Sequence, residues 1–328
     1  MTSLHVLGVG NALVDVLTHA DDAFIASHGL ARGAATMVDE TTAARVYDAL
    51  PPAIEMSGGS AANTIAGLAS FGAATGYLGR VRDDELGDVF GHDLRSLGVR
   101  FDARPAVEGP PTGRCLVMVT SDAQRTMCTY LGVSSDFGPD DVDDALVADA
   151  AVVYLEGYLW DQPAAKEAIR RVARVAHEAG RQVAFTLSDP FCVGRHRAEF
   201  LHLVEHEIDV LFANEIEICS LYEVEEFDEA LQRVRPHCDV AALTRSEKGS
   251  VILRGDEVHV IDPAPVAAVV DTTGAGDLYA AGVLYGLTHG HDLGTCGHLG
   301  SLAAAEVIGH LGARPEQSLA DLARPLLG

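Results

Sequence analysis

Short apolar runs alternate with helix-patterned segments along most of this 328-residue chain, and that alternation constrains the fold more than any other feature. The runs at 4–9 (LHVLGV), 75–81, 151–156 (AVVYLE), 182–187, 209–213, 240–244 and 250–253 have the length and composition of strands. Segments 60–71, 84–98, 163–180 and 214–223 read as helices. The 163–180 segment places Ala168, Val172, Val175 and Ala176 on one face and closes at Gly180, a suitable C-terminal residue. Strand–helix–strand order predicts an α/β fold, a mostly parallel sheet with helices on both faces. Two stretches, 14–39 and 100–131, break the alternation with short strands and polar turns. They are expected to pair into a small β lid over one edge of the core, within a single domain spanning 1–328.

Composition narrows the function classes. Apolar residues make up 48%, enough for a large core, yet no continuous apolar run reaches the roughly 18 residues of a membrane span. The start, MTSLHVLGVGNALVDVL, lacks the basic opening of a signal peptide and reads as a strand, so a cytoplasmic protein is expected. The six cysteines include no C-x-x-C pair, which argues against a zinc or disulfide framework. Net charge is −25, and lysine occurs only at Lys166 and Lys248. Such a surface repels nucleic acid, anionic membrane and, at long range, ATP. A phosphate site on this chain must therefore be a local one, built from backbone amides and metal.

The stretch DTTGAGD (271–277) supplies such a site. If a helix starts near Gly274, the amides of Gly274, Ala275 and Gly276 are its unpaired donors, with the positive end of the helix dipole behind them. Asp277 then sits in the first turn beside the bound anion, placed to accept a proton from an attacking hydroxyl. Positioning and charge neutralisation of this kind suit phosphoryl transfer. Taken alone, the motif is equally a glycine turn followed by an acid in a helix's first turn, where acids are favoured anyway.

A second motif decides between these readings. DTTGAGDLYAAG resembles the C-terminal signature of the ribokinase/PfkB family of carbohydrate and nucleoside kinases, SGGSAANTIAGLASFGAATGYLGRVRDDELGDVF (57–90) resembles its N-terminal signature, and NEIE (214–217) resembles its N-x-x-E motif. The resemblance runs from about Val6 to Arg314. Within the family the chain looks most like the adenosine kinases, through GVGNALVD (8–15), PTGRCLVMVT (111–120), EGYLW (156–160), FTLSDPF (185–191) and IDVLFANE (208–215). The resemblance implies a ribokinase-like three-layer α/β/α core with a small β lid. It also implies ATP-dependent phosphorylation of a nucleoside 5′-hydroxyl, adenosine to AMP being the first expectation. A kinase for another nucleoside or a free sugar is the alternative. A sensor on a retired kinase scaffold is more remote, since it would not need Asp277 or the G-A-G turn.

Site residues follow from the same resemblance. Asp15 is implied to accept two ribose hydroxyls, with Asn11, Gly58, Gly59 and Asn63 as companions; a carboxylate pairs well with vicinal hydroxyls. Met37, Met127, Leu131 and Tyr158 fall where the family lines the base, although the family more often has Phe at the last position. Arg125 aligns with a lid arginine that closes over the transferring phosphate. Asn214 and Glu217 are implied to hold the magnesium–phosphate network through water. TRSEKG (244–249) takes the place of a T-x-G-x-x-G nucleotide loop, with Thr244 and Gly249 kept and Ser246 replacing the first glycine. Ser301, on the last helix, falls near the nucleotide base. Asp271, Thr273 and the loop 307–314 match positions that bind a monovalent cation, K⁺, in many relatives. The expected cofactors are ATP and Mg²⁺, the expected partner is a small nucleoside or sugar, neither nucleic acid nor membrane is expected, and a monomer is expected over a dimer.

Overall fold

Residues 3–122 and 124–328 are described by the structure, a computed structural model. Their strands, in chain order, are β1 Leu4–Val9, β2 Leu13–His19, β3 Ala35–Met37, β4 Ile54–Gly58, β5 Thr75–Leu78, β6 Thr112–Val119, β7 Arg125–Gly132, β8 Ala150–Glu156, β9 Gln182–Thr186, β10 Val210–Asn214, β11 Val240–Thr244, β12 Ser250–Arg254 and β13 Glu257–Ile261. Eight of them form one sheet in the order β13-β12-β11-β10-β9-β8-β1-β5. It is parallel from β5 to β11, and β12 and β13 add an antiparallel edge. Strands such as β8 (AAVVYLE) are buried almost throughout, as expected of parallel strands covered on both faces. One face packs on helices Pro163–Glu178, Pro190–His206, Glu215–Tyr222 and Phe227–Val234 around Trp160, Phe185 and Phe200. The other packs on Ser60–Ser70, Ala275–Thr288, Leu293–Val307 and Leu319–Leu327. This is the expected three-layer core. No helix among the described residues is long and apolar enough to cross a membrane.

The remaining strands make a second sheet, β3-β7-β6-β2-β4. Its composition differs from the expectation in two respects. Strand β4 (IEMSG) and the helix Glu40–Ala49 belong to it but lie outside 14–39. Residues 100–111 form no strand and contribute only the isolated bridges Gly76–Arg100 and Arg82–Ala106. Alternation gives this sheet two unlike faces. Val14, Val16, Leu116, Met118 and Cys128 join the main core beneath helices Glu40–Ala49 and Glu85–Ser96. Leu17, Cys115, Val117 and Val119 form a separate small cluster on the other face, with Met56, Met127 and Leu311 against it. Asp15 shares that second face, in register with Cys115 on one side and Met56 on the other.

Candidate active site

The two sheets meet at a glycine crossover. Strand β4 ends at Gly58, and Gly59, at φ 94°, caps the helix Ser60–Ser70. No side chain fits at either position: a Cβ on Gly58 would lie 2.2 Å from the Asp15 carboxyl carbon, and one on Gly59 would lie 2.4 Å from the Asn11 carbonyl oxygen. Gly274, at φ 76°, caps Ala275–Thr288 in the same manner and is pressed against Ala313. Both helix starts are therefore where the sequence places them, and both converge on Asp277.

Ser60 Oγ donates to one Asp277 oxygen at 2.7 Å, and Asn63 Nδ2 donates to the other at 2.9 Å. Burial raises the Asp277 pKa, while these two bonds and the nearby Arg314 pull it down. A carboxylate so held is a competent proton acceptor. Asn63 thus reaches Asp277, and its other side-chain atom, Oδ1, is buried without a partner among the described residues and can accept from a bound hydroxyl. Burial also pushes Asp15 up to about 7 against the pull of Arg314, with Asp277 and Asp271 adding to the rise.

Asn11 lies deeper than a ribose contact needs. Its Nδ2 and backbone N–H both donate to Glu156 Oε1 at 2.7 Å, and its Oδ1 accepts from Ser134. Glu156, at the end of β8, also accepts from the Ala61 N–H at 2.8 Å. Burial raises Glu156 to about 7 against these donors.

Arg125 crosses from β7 to the core. Its guanidinium donates to Thr273 Oγ1 and, at 2.7 Å, to Thr272 Oγ1, and pairs with Asp271 at 3.2 Å. The expected small-sheet arginine is thus held at the anion turn. Asp271 is buried and also accepts from Thr273 N–H and Oγ1 and from Gly312 N–H. This donor set does not fit K⁺: both carboxylate oxygens already face N–H or O–H groups, and a guanidinium fills the cationic place.

A cavity of about 730 Å³ opens in front of the turn. Ala275, Gly276 and Asp277 line it, with Asn214, Thr244, Gly249 and Ser301 of the expected nucleotide set and Glu217 of the expected magnesium site. Its volume is that of a cofactor site. Asn214 and Glu217 close a reciprocal cap, Asn214 N–H and Nδ2 donating to Glu217 and Glu217 N–H returning a bond. Burial lifts Glu217 to about 7 against the Asn214 amide, and Asp189 and Asp277 lift it further. Both Glu217 oxygens already accept from Asn214, so Mg²⁺ would meet this carboxylate only through the ion's own waters, which can donate to its remaining lone pairs. Ser301 Oγ accepts from Ala264 N–H and donates to the Asp262 carbonyl, fixing one wall; its helix, Leu293–Val307, is followed by one more. Ser246 keeps a left-handed conformation, φ 52°, where the family motif has glycine.

The base-lining set is less gathered. Met127 and Leu131 are half-buried on the small sheet, Met37 at its edge is 61% exposed, and the Tyr158 hydroxyl donates to the Ser188 carbonyl at 3.3 Å. Sequence reasoning missed Glu156, Ser60 and Arg314. Only Glu156 carried a signal, an acid ending an apolar run.

The pattern of the pfkB family carbohydrate kinases matches residues 48–319. The chain belongs to the pfkB family. A 32% identical relative, described as an ATP-dependent ribose-1-phosphate kinase from Halopiger xanaduensis, aligns over 70% of this chain and 73% of its own. Among solved structures, an adenosine kinase from Sinorhizobium meliloti is 49% identical with a TM-score of 0.93, covering 98% of this chain and 99% of its own. A probable sugar kinase from Rhizobium etli is 48% identical with a TM-score of 0.94, covering 99% of both chains. As a pfkB kinase, the protein is an ATP-dependent phosphotransferase acting on a small sugar or nucleoside.

Proposed function

We propose that the acceptor is a nucleoside, adenosine first, phosphorylated on its 5′-hydroxyl. One observation carries the choice. The face of the small sheet beside Asp15 is an uncharged strip of Leu17, Met56, Cys115, Val117 and Met127. Its other charged residue is Arg125, already engaged by the 271–273 turn. Arg114 takes the opposite parity and lies over the Tyr47 ring. A sugar phosphate would find no free lysine or arginine on that strip among the described residues, and a free sugar would leave it uncovered. A purine covers it, and its apolar area at about 25 cal/mol per Å² makes several kcal/mol available before ordering costs.

In this reading Asp15 and Asn63 Oδ1 accept ribose hydroxyl protons. Asp277 takes the proton of the 5′-hydroxyl, that oxygen forms a bond to the γ-phosphorus, and the bond to the ADP oxygen breaks. The turn amides receive the developing negative charge, Gly276 and Asp277 directly and Ala275 only if it gives up its 3.4 Å bond to the Thr272 carbonyl, joined by Arg125 once it leaves the threonines. Mg²⁺ held near Glu217 would neutralise phosphate charge.

The test is kcat/KM with ATP for adenosine, 2′-deoxyadenosine, ribose and ribose 1-phosphate. Adenosine is expected to exceed ribose by at least about 10², a few kcal/mol of differential binding. The 2′-deoxy compound should fall well below adenosine, because a buried acceptor is left unpaired. Preference for ribose or ribose 1-phosphate rejects the nucleoside reading.

A further inference from the structure

Arg314 takes no part in the chemistry outlined above, yet its charge acts on both carboxylates that do. Its Nε and Nη2 donate to the Ser57 carbonyl at 2.9 and 2.6 Å, Nη2 also to Ser57 Oγ at 2.8 Å, and Nη1 to the Ala62 carbonyl at 2.5 Å. Ser57 is the last residue of β4 before the Gly58–Gly59 crossover, and Gly58 lies directly against the Asp15 carboxyl. Ala62 is in the first turn of the helix whose Ser60 and Asn63 hold Asp277. The Ser57 N–H and Oγ in turn donate to Asp93 on the helix Glu85–Ser96, behind the small sheet. One planar fork thus grips the small sheet with two arms and the core helix with the third.

We propose that Arg314 is a positioning residue for phosphoryl transfer: its guanidinium fixes the crossover between the two sheets, and so sets where Asp15 stands relative to Asp277. The inference rests on the reading of Asp15 as acceptor-binding and Asp277 as base. Arginine is required for its shape, since a lysine ammonium cannot satisfy two carbonyls on separate elements with the same fixed geometry. Charge adds a second effect. The groups facing this region are Asp15, Asp93, Asp271, Asp277, Glu156 and Tyr77, and Arg314 is the positive charge acting on both Asp15 and Asp277. It favours their ionised forms.

The test uses the full chain with adenosine and ATP. Arg314→Lys keeps the charge and loses the fork. Its kcat should fall by about 10–10²-fold, the cost of misplaced reacting groups, while KM for ATP stays within about twofold and the acid limb of the pH profile stays in place. Arg314→Gln loses both. Its acid limb should move to higher pH, so that kcat/KM at pH 6 falls by about a further tenfold relative to pH 8. Should Arg314→Gln fail to fold, Arg314→Lys decides alone. A wild-type kcat in Arg314→Lys, or a KM for ATP raised as much as that for adenosine, overturns the inference. Full kcat in Asp277→Asn would instead sink the base assignment beneath it, so the two failures are distinct.

Discussion

Two α-helices among the described residues start on a glycine with positive φ, and they meet at one carboxylate. Most of the other α-helices are capped by a side chain, as by Asp39, Asp84, Asp189, Asp292 and Ser318, those after Gln162 and Glu226 apart. At Gly59 and Gly274 no side chain does. What separates the pair is what satisfies the freed amides. The Ser60–Ser70 helix has a buried carboxylate set against its first turn: Glu156, on the neighbouring strand, accepts the Ala61 N–H. On the Ala275–Thr288 helix no side chain among the described residues does the same: the Ala275 N–H donates to the Thr272 carbonyl at 3.4 Å, and the Gly276 and Asp277 amides, which have no acceptor there, face the large cavity. The closed terminus therefore positions side chains, Ser60 and Asn63, on Asp277. The open one offers donors to an anion. The same local motif does two jobs, and a residue outside the motif assigns them.

The largest expected effect is at the open terminus. Asp277→Asn should lower kcat by about 10²–10⁴ while leaving acceptor binding in place, the usual share of a general base. Near-wild-type single-turnover rates would take Asp277 out of the chemistry. At the closed terminus the effect should be on stability. Glu156→Ala strands the donors of Asn11 and Ala61 in a buried site and should cost about 3 kcal/mol by denaturant titration. A cost under about 0.5 kcal/mol would mean that water replaces the carboxylate there, and the contrast between the two termini would collapse.

The open terminus was legible in the sequence and the closed one only half so. Gly274, Gly276, Asp277 and the Asn214–Glu217 cap are local: their geometry is set within a few residues, so spacing alone reveals them. Glu156 meets Asn11 across 145 positions, and Arg314 meets Ser57 across 257, distances over which spacing carries no information. The parallel core was equally legible, because each buried strand is a continuous apolar run. Strand β4 escaped notice because IEMSG has no such run and its short apolar–polar alternation is at odds with burial, Ile54 being exposed and Ser57 buried. Met37 and Tyr158 show the limit of a family match: it supplies candidates, and their exposure shows how incompletely they enclose a base in this structure.

Asp15 sharpens the contrast from the acceptor side, with a smaller effect. Its pKa rises from 3.8 to about 7 in the folded protein, chiefly through burial. The folded state therefore keeps a proton that the unfolded chain releases. That contribution is complete below pH 4 and is lost as pH rises through 7. Above pH 7 the charged carboxylate destabilises the free protein, and Asp15→Asn removes the charge. After discounting for its partial exposure, the variant should be about 1–2 kcal/mol more stable than wild type at pH 8, the gain vanishing by pH 4, while adenosine binding weakens. Denaturation at both pH values checks it. Lower stability of the variant at pH 8 would show that Arg314 compensates the charge fully.

The smallest effect concerns a position where glycine is expected and serine stands. Gly59 and Gly274 adopt positive φ at no steric cost, and Gly249 must be glycine as well, since its Cβ would lie 2.0 Å from the Ile261 carbonyl oxygen. Ser246, three residues before Gly249 in the same loop, holds φ 52° with a Cβ in place. Left-handed backbone costs an L-residue about 1–2 kcal/mol, and the greater freedom of glycine in the unfolded chain returns roughly half of that. Ser246→Gly should thus stabilise the protein by about 0.5–1 kcal/mol. The exposed serine lines the nucleotide cavity, so the second measurement is KM for ATP. An unchanged KM with higher stability identifies Ser246 as plain backbone strain in the loop. A raised KM means that the hydroxyl contacts the nucleotide, and that the strained serine is held there by function. A destabilised variant with unchanged KM would show that the loop relies on contacts of the serine side chain, against the strain account.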